Sequence, residues 1–196
     1  VLTTIVFGPD GIEHEDGVDL ARRRLGTRGA VVWVDSTGPD PGDLDAAREL
    51  FDLHELAVED VGKHGQRAKL ERYPDHSFLV AYARAGNGDL AGVDLAEVDF
   101  LLGDGWVLSV RERNEHGQLL DIGDVRQRLE QRRDLSISPG AIVYALLDAV
   151  VDGYFVAIEA AEDRLEAVEE RLFSADPPPD AELQQDLLDV RRRLIL

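Results

Sequence analysis

The sequence predicts an α/β (α+β) fold: a mixed β-sheet sandwiched by helices, followed by a long antiparallel helical hairpin. Three observations carry this expectation. Short runs rich in Val, Leu, Ile and aromatic residues, bounded by Gly, Pro and Asp, recur through the first two thirds. Helical patterns lie between them. From Tyr144 the apolar residues fall at gaps of three and four, alternating without a slip as far as Leu172. The expected division is a body over residues 1–134 and a helical hairpin over 135–196.

"VLTTIVFG" reads as a first strand, closed by the turn signal "PDG". "DLARRRLG" is a short helix ending at Gly26. "AVVWVDSTG", Ala30 to Gly38, is a continuous apolar run and then a turn, the pattern of a buried strand. Two helical pieces follow. Asp43 caps the first, with Leu44, Ala47, Leu50 and Phe51 on one face. His54 caps the second, with Leu56, Ala57 and Val61 inward. Four strands come next, over 69–73, 77–84, 93–102 and 106–110, the last two joined by the hairpin signal "GDG". Within the third, Val98 and Phe100 alternate with Glu97 and Asp99, as in a strand with one apolar face. A helix is expected over 116–133, with Leu119, Leu120, Ile122, Val125 and Leu129 as its apolar members.

Ser138 then caps a long helix with Pro139 in its first turn. Its seam is Tyr144, Leu147, Val151, Tyr154, Ile158, Ala161, Leu165, Val168 and Leu172. The helix would run to Phe173, roughly 54 Å at ~1.5 Å per residue. "SADPPPD" ends it, and a second seam, Leu183, Leu187, Val190 and Leu194, is still running at the last residue. A short connection places two such helices antiparallel. The natural chain is expected to continue.

Acids outnumber Lys plus Arg by 40 to 21, a net charge of −19 over 196 residues. That sign argues against a nucleic-acid backbone as partner and against an anionic membrane surface. It favours cations, above all a divalent ion. With no Cys, disulfides, thiolate metal sites and Cys nucleophiles are ruled out. No uninterrupted run of about 18 apolar residues occurs, so no bilayer span is expected. The five His show no paired metal spacing, and His54 and His64 read as structural. Ser36 and Ser109 lack a nucleophile elbow, and no GK[ST] follows "GNGDLAG". Nothing assembles a nucleophile, a base and oxyanion donors, so no enzyme is expected.

Two acid pairs stand out. Glu59 and Asp60 sit at a helix C-terminus, where the helix dipole disfavours negative charge. Asp148 and Asp152 are four apart on the long helix, one above the other, where like charges repel. Tolerating both pairs hints at a counter-cation. The plain alternative is that all four are solvated, as in any acidic protein, and it is the better reading for the acids further along the long helix.

The runs "VVWVDSTG", "LFDLHELAVEDV", "QRAKLERYPDHSFLVAY" and "AIVYALLDAVVDGYF" together resemble the cytoplasmic N-terminal domain of CorA-type magnesium transporters. The likeness starts near Ala30. Its most specific parts are W-x-D, L-H-x-L-x-x-E-D with Q-R-x-K, and Y-x-L-x-D-x-x-x-D-x-Y-F. The resemblance implies a homopentamer on the cytoplasmic face of the cell membrane, in which each chain adds a stalk helix, begun here near Asp180, and membrane helices beyond it. It implies regulatory Mg²⁺, with Co²⁺ or Zn²⁺ as further ions, bound between neighbouring copies by Glu59, Asp60, Asp148 and Asp152, and a channel held shut when those ions are bound. The fragment by itself is then expected to be monomeric. Two alternatives stay open: the cytosolic domain of a ZntB-like zinc transporter, and a free acidic α/β module that docks a protein. A metal-dependent hydrolase lacks the ligand clusters it would need.

Overall fold

A computed structural model of the chain describes residues 1–38, 40–63, 65–85, 95–132, 137–174 and 188. Among them seven strands build one sheet: β1 (Leu2–Gly8), β2 (Gly11–Asp16), β3 (Val31–Thr37), β4 (Lys69–Arg72), β5 (His76–Arg84), β6 (Leu95–Gly103) and β7 (Trp106–Arg111). Their order is β2-β1-β3-β7-β6-β5-β4. Every pairing is antiparallel except β3 with β7, which run parallel, Val32 opposite Trp106 and Asp35 opposite Ser109. The helices are α1 (Asp19–Arg24), α2 (Pro41–Phe51), α3 (Glu55–Val61), α4 (Gly123–Glu130) and α5 (Pro139–Ser174).

Each sheet face carries its own core. On one, Val6, Val34, Phe78, Val80 and Leu108 pack beneath α1, α2 and α3 through Leu20, Ala47, Phe51, Ala57 and Val61. On the other, Ile5, Trp33, Val98, Phe100 and Val107 pack beneath α4 and α5 through Val125, Leu129, Ile142, Leu146 and Val150. The sandwich expected from the sequence is therefore present. The expected division near 134 and the second helix of the hairpin lie outside the described residues.

Several local expectations hold. β3 is buried along almost its whole length, as its unbroken apolar run requires. Gly105 turns the β6–β7 hairpin with φ +77°. Ser138 caps α5, its Oγ accepting from Ala141 N at 3.2 Å.

Others are corrected. The return strand β2 was not expected. Its "GIEHED" is mostly charged, and it survives as an edge strand because β1 supplies the whole ladder. The cap of α2 is Asp40, not Asp43: Asp40 Oδ1 accepts from Asp43 N at 2.8 Å, with Pro41 beginning the helix. Leu56 is exposed rather than inward, while Ala57 and Val61 are buried. The helix expected over 116–133 shrinks to Gly123–Glu130. Asn114 Oδ1 accepts from His116 N and Gln118 N at 3.0 and 2.9 Å, an Asx turn that outcompetes the first helical turns. The α5 seam also differs. A second stripe, Ile142, Val143, Leu146 and Val150, faces the sheet; of the predicted seam, Tyr144, Val151, Ile158 and Leu165 are exposed, while Leu147 packs against that core and Val168 is buried. These two apolar stripes make α5 long and apolar enough, by length and composition, to cross a membrane. Its first half instead has one face packed on the sheet.

The parallel β3–β7 junction is pinned by buried polar groups. Trp33 Nε1 donates to Ser109 Oγ at 2.9 Å, and Ser109 Oγ donates to Asp35 Oδ1 at 2.6 Å. Arg111 grips Asp35 with two bonds, Nε to Oδ1 at 3.0 Å and Nη2 to Oδ2 at 2.6 Å. Its remaining donors reach Leu120 O at 2.5 Å and Thr37 Oγ1 at 3.0 Å. A ring ladder lies on the opposite side of the sheet. His54 stacks on Tyr73, Tyr73 on His76 and Phe51 on Trp106, with centroids 4.9, 4.9 and 4.3 Å apart, and His76 tilts toward Trp106 at 6.2 Å. Gly103 makes room for the Trp106 ring, since a Cβ there would lie 2.4 Å from it.

Removing one member of the Asp35–Arg111 pair should be costly. Asp35→Ala is expected to lower the free energy of unfolding by about 3–5 kcal/mol, because it strands a buried guanidinium. The double replacement Asp35→Leu/Arg111→Met should recover most of that loss. Urea denaturation of the three proteins measures both, and a single variant as stable as the parent would contradict the assignment.

Candidate ion-sensing site at the end of α3

α3 is short, and polar contacts fix both its ends. His54 Nδ1 accepts from Leu56 N at 3.2 Å at the start. At the other end Gln66 folds back, its amide donating to the carbonyls of Asp60 and, at 3.3 Å, Lys63. Glu97 on β6 holds the turn in place: its Oε2 accepts from Gly65 N at 2.7 Å and Gln66 N at 3.2 Å. The Tyr82 hydroxyl lies 3.1 Å from the same oxygen. Burial and the Glu97 carboxylate push that phenol up to about 12.

Glu59 and Asp60 project from this braced end, and lysines of the same chain meet them. Lys63 Nζ lies 2.6 Å from Glu59 Oε1. Lys69 on β4 bonds Asp60 and reaches Glu71 Oε1 at 3.1 Å. Burial pulls the Lys69 ammonium down, but Asp60 and Glu71 outweigh it and hold it above its ordinary value. The dipole argument had left both acids in want of a cation; two lysines supply one each.

Asp148 and Asp152 stand on α5. Asp148 pairs with Arg128 of α4 at 3.4 Å. Asp152 lines an open, polar groove of about 450 Å³ with Asp124, Gln127, Arg128 and Gln131. Beside them Tyr154 donates to Tyr82 O at 2.8 Å, and Gly153 lets α5 approach Arg84 so closely that a Cβ would sit 3.2 Å from it. The D-x-x-x-D-G-Y run thus also docks α5 on β5.

The sheet separates the two acid pairs. α3 packs on one face and α5 on the other. Within one chain they are not brought together, and among the described residues no three Asp, Glu or His converge with metal-holding geometry. Sequence reasoning passed over Lys63, Lys69, Gln66, Glu97 and Arg128. The signal for two of them was present in Q-R-x-K, read as a family mark rather than as the brace and counter-charge of the preceding E-D. The triple Arg at 22–24 is spent on Glu49, Glu15 and Glu13.

The family model for CorA-like Mg2+ transporter protein matches residues 28–196. The chain belongs to this family. The putative metal ion transporter YfjQ of Bacillus subtilis is 33% identical over 171 residues, 85% of this chain and 51% of that protein. The cobalt/magnesium transport protein CorA of Thermotoga maritima is 28% identical over 167 residues, 84% of this chain and 46% of its own length. The CorA-like chain therefore spans about half the length of these two curated relatives. In fold it is similar to the soluble domain of CorA from Methanocaldococcus jannaschii, with TM-score 0.69 at 16% identity, covering 98% of this chain and 72% of that one. The ZntB cytoplasmic domain of Vibrio parahaemolyticus gives TM-score 0.63 at 14% identity, covering 97% and 72%. Shape alone is therefore shared by CorA and ZntB domains.

Gln66→Ala removes the brace of α3. The expected loss is about 1 kcal/mol in urea denaturation, the net worth of a typical hydrogen bond. Hydrogen exchange should quicken at Gly62 and Lys63, whose amides bond back into α3. Unchanged exchange there would show that the brace does not hold the helix end.

Proposed function

We propose that this chain is the ion-sensing, gating domain of a divalent-cation channel, working as one copy of a homopentamer on the cytoplasmic face of the cell membrane. Mg²⁺ is the proposed regulatory and transported ion, with Co²⁺ a second cargo. The observation that carries this reading is the separation of the acids. Glu59 and Asp60 stand on one face of the sheet and Asp148 and Asp152 on the other, so a site joining carboxylates from both faces needs a neighbouring copy. The remaining length of the relatives is the proposed source of the stalk and the membrane helices.

The donor set suits the ion. All four residues offer carboxylate oxygens, and the chain has no Cys; hard cations prefer such ligands, whereas thiolates favour zinc. Bound between copies, the ion would supply positive charge that bridges carboxylates of two chains. The residues of this chain set how tightly it is held. Lys63, Lys69 and Arg128 already neutralise Glu59, Asp60 and Asp148, so an arriving ion must displace them. That competition lowers affinity, as a sensor of millimolar ion requires. The ring shifts toward the closed state only by the difference in ion affinity between closed and open forms.

Opposite substitutions test this in the whole transporter. Asp60→Asn should raise the internal Mg²⁺ concentration needed to halt uptake, by roughly tenfold if one carboxylate contact is worth about 1.4 kcal/mol. Lys69→Gln should lower it, because the ion no longer competes with an ammonium. Ion-flux assays in vesicles loaded with graded Mg²⁺ measure both. Shifts in the same direction, or none, would remove Asp60 from the site. Closure by Zn²⁺ at far lower concentrations than Mg²⁺ would favour the ZntB-like reading.

A further inference from the structure

Asp99, at the centre of β6, is fully buried, and neither of its side-chain oxygens has a hydrogen-bond partner among the described residues. It points to the α3 side of the sheet, between Val80 of β5 and Val110 of β7. Two further buried acids share that side. Glu97 is two residues along the same strand, and Glu112 lies just past β7, its amide bonded to Glu97 O at 3.0 Å. Among the described residues, the other charged or titratable groups facing this region are Tyr82 of β5, Lys69 of β4 and Asp60 of α3. α2 contributes the apolar Ala47 and Phe51. An ionised carboxylate cannot remain in such a place without a partner.

Its charge must be either cancelled by a proton or balanced by a metal ion. Against a metal, Glu97 Oε2 is already occupied by Gly65 N, Gln66 N and the Tyr82 hydroxyl, and no metal-holding cluster exists among the described residues. We propose that Asp99 is a proton-binding site, protonated in the folded protein near neutral pH, whose ionisation loosens the turn that braces the end of α3. The path is short. A negative Asp99 repels Glu97, Glu97 anchors the amides of Gly65 and Gln66, and Gln66 caps α3. The negative charge also draws on Lys69, the partner of Asp60.

Burial first, and then the charges of Glu97 and Glu112, push the Asp99 carboxyl up to about 8. A raised acid is stabilising in its protonated form. Its contribution is fully present below the ordinary carboxylate range, is lost progressively as pH rises from there to about 8, and is constant above. The site does not depend on the ion-sensing reading, because its signature lies in the turn and not in flux.

The test is a side-chain carboxyl ¹³C NMR titration of the 196-residue chain, with amide shifts followed in parallel. One Asp resonance, absent in Asp99→Asn, should titrate near pH 8, and the amides of Gly65 and Gln66 should move with the same midpoint. In Asp99→Asn that movement should vanish, and the fall in stability between the ordinary carboxylate range and about pH 8 should flatten. The parent titration stands by itself if the variant folds poorly. An Asp99 midpoint in the ordinary carboxylate range would overturn the proposal, as would turn amides that ignore it. A midpoint driven down by millimolar Mg²⁺ would replace the proton with a cation and overturn it too.

Discussion

A buried carboxylate, Asp35, joins the two halves of this sheet. β2-β1-β3 on one side and β7-β6-β5-β4 on the other meet at the parallel β3–β7 pair, where no hairpin fixes the register. Arg111 engages both Asp35 oxygens, and Trp33 reaches Asp35 through the Ser109 hydroxyl. A slip of one residue would turn these groups to the wrong face and strand a buried charge. The same guanidinium ties down the segment after β7 through Leu120 O, which places α4 and then α5 on that face.

That junction decides where the acids go. With β3 and β7 in register, α2 and α3 close one side and α4 and α5 the other. Glu59 and Asp60 are then fixed at one surface and Asp148 and Asp152 at the opposite one. Each pair is met by basic side chains of its own chain, so a net charge of −19 does not leave these acids bare. In the proposed reading, a cation that used them would compete with Lys63, Lys69 and Arg128, which would weaken its hold.

The strand runs were legible because their signals are short-range. "AVVWVDSTG" could only be buried, and "GDG" could only turn. Legibility failed where a local competitor or a neighbouring element intervened. Asn114 seized the amides of the expected helix start, and β1 recruited the charged "GIEHED" as its partner. The alternation of β6 placed Glu97 and Asp99 on a polar face; the helices above it made that face a core. The α5 seam was read from a true periodicity, yet the stripe that meets the sheet lies beside it.

By itself the sequence determined most of the elements, the layered fold, the acidic character and the family, because hydrophobic period, turn residues and motif order are properties of neighbours along the chain. The tertiary structure alone decided which charges meet. Lys69 reaches Asp60, Arg128 reaches Asp148, Arg111 reaches Asp35, and the Asp99 carboxyl finds no hydrogen-bond partner among the described residues. Electrostatic energy depends on distance and on the water excluded between groups, and neither is written in sequence order.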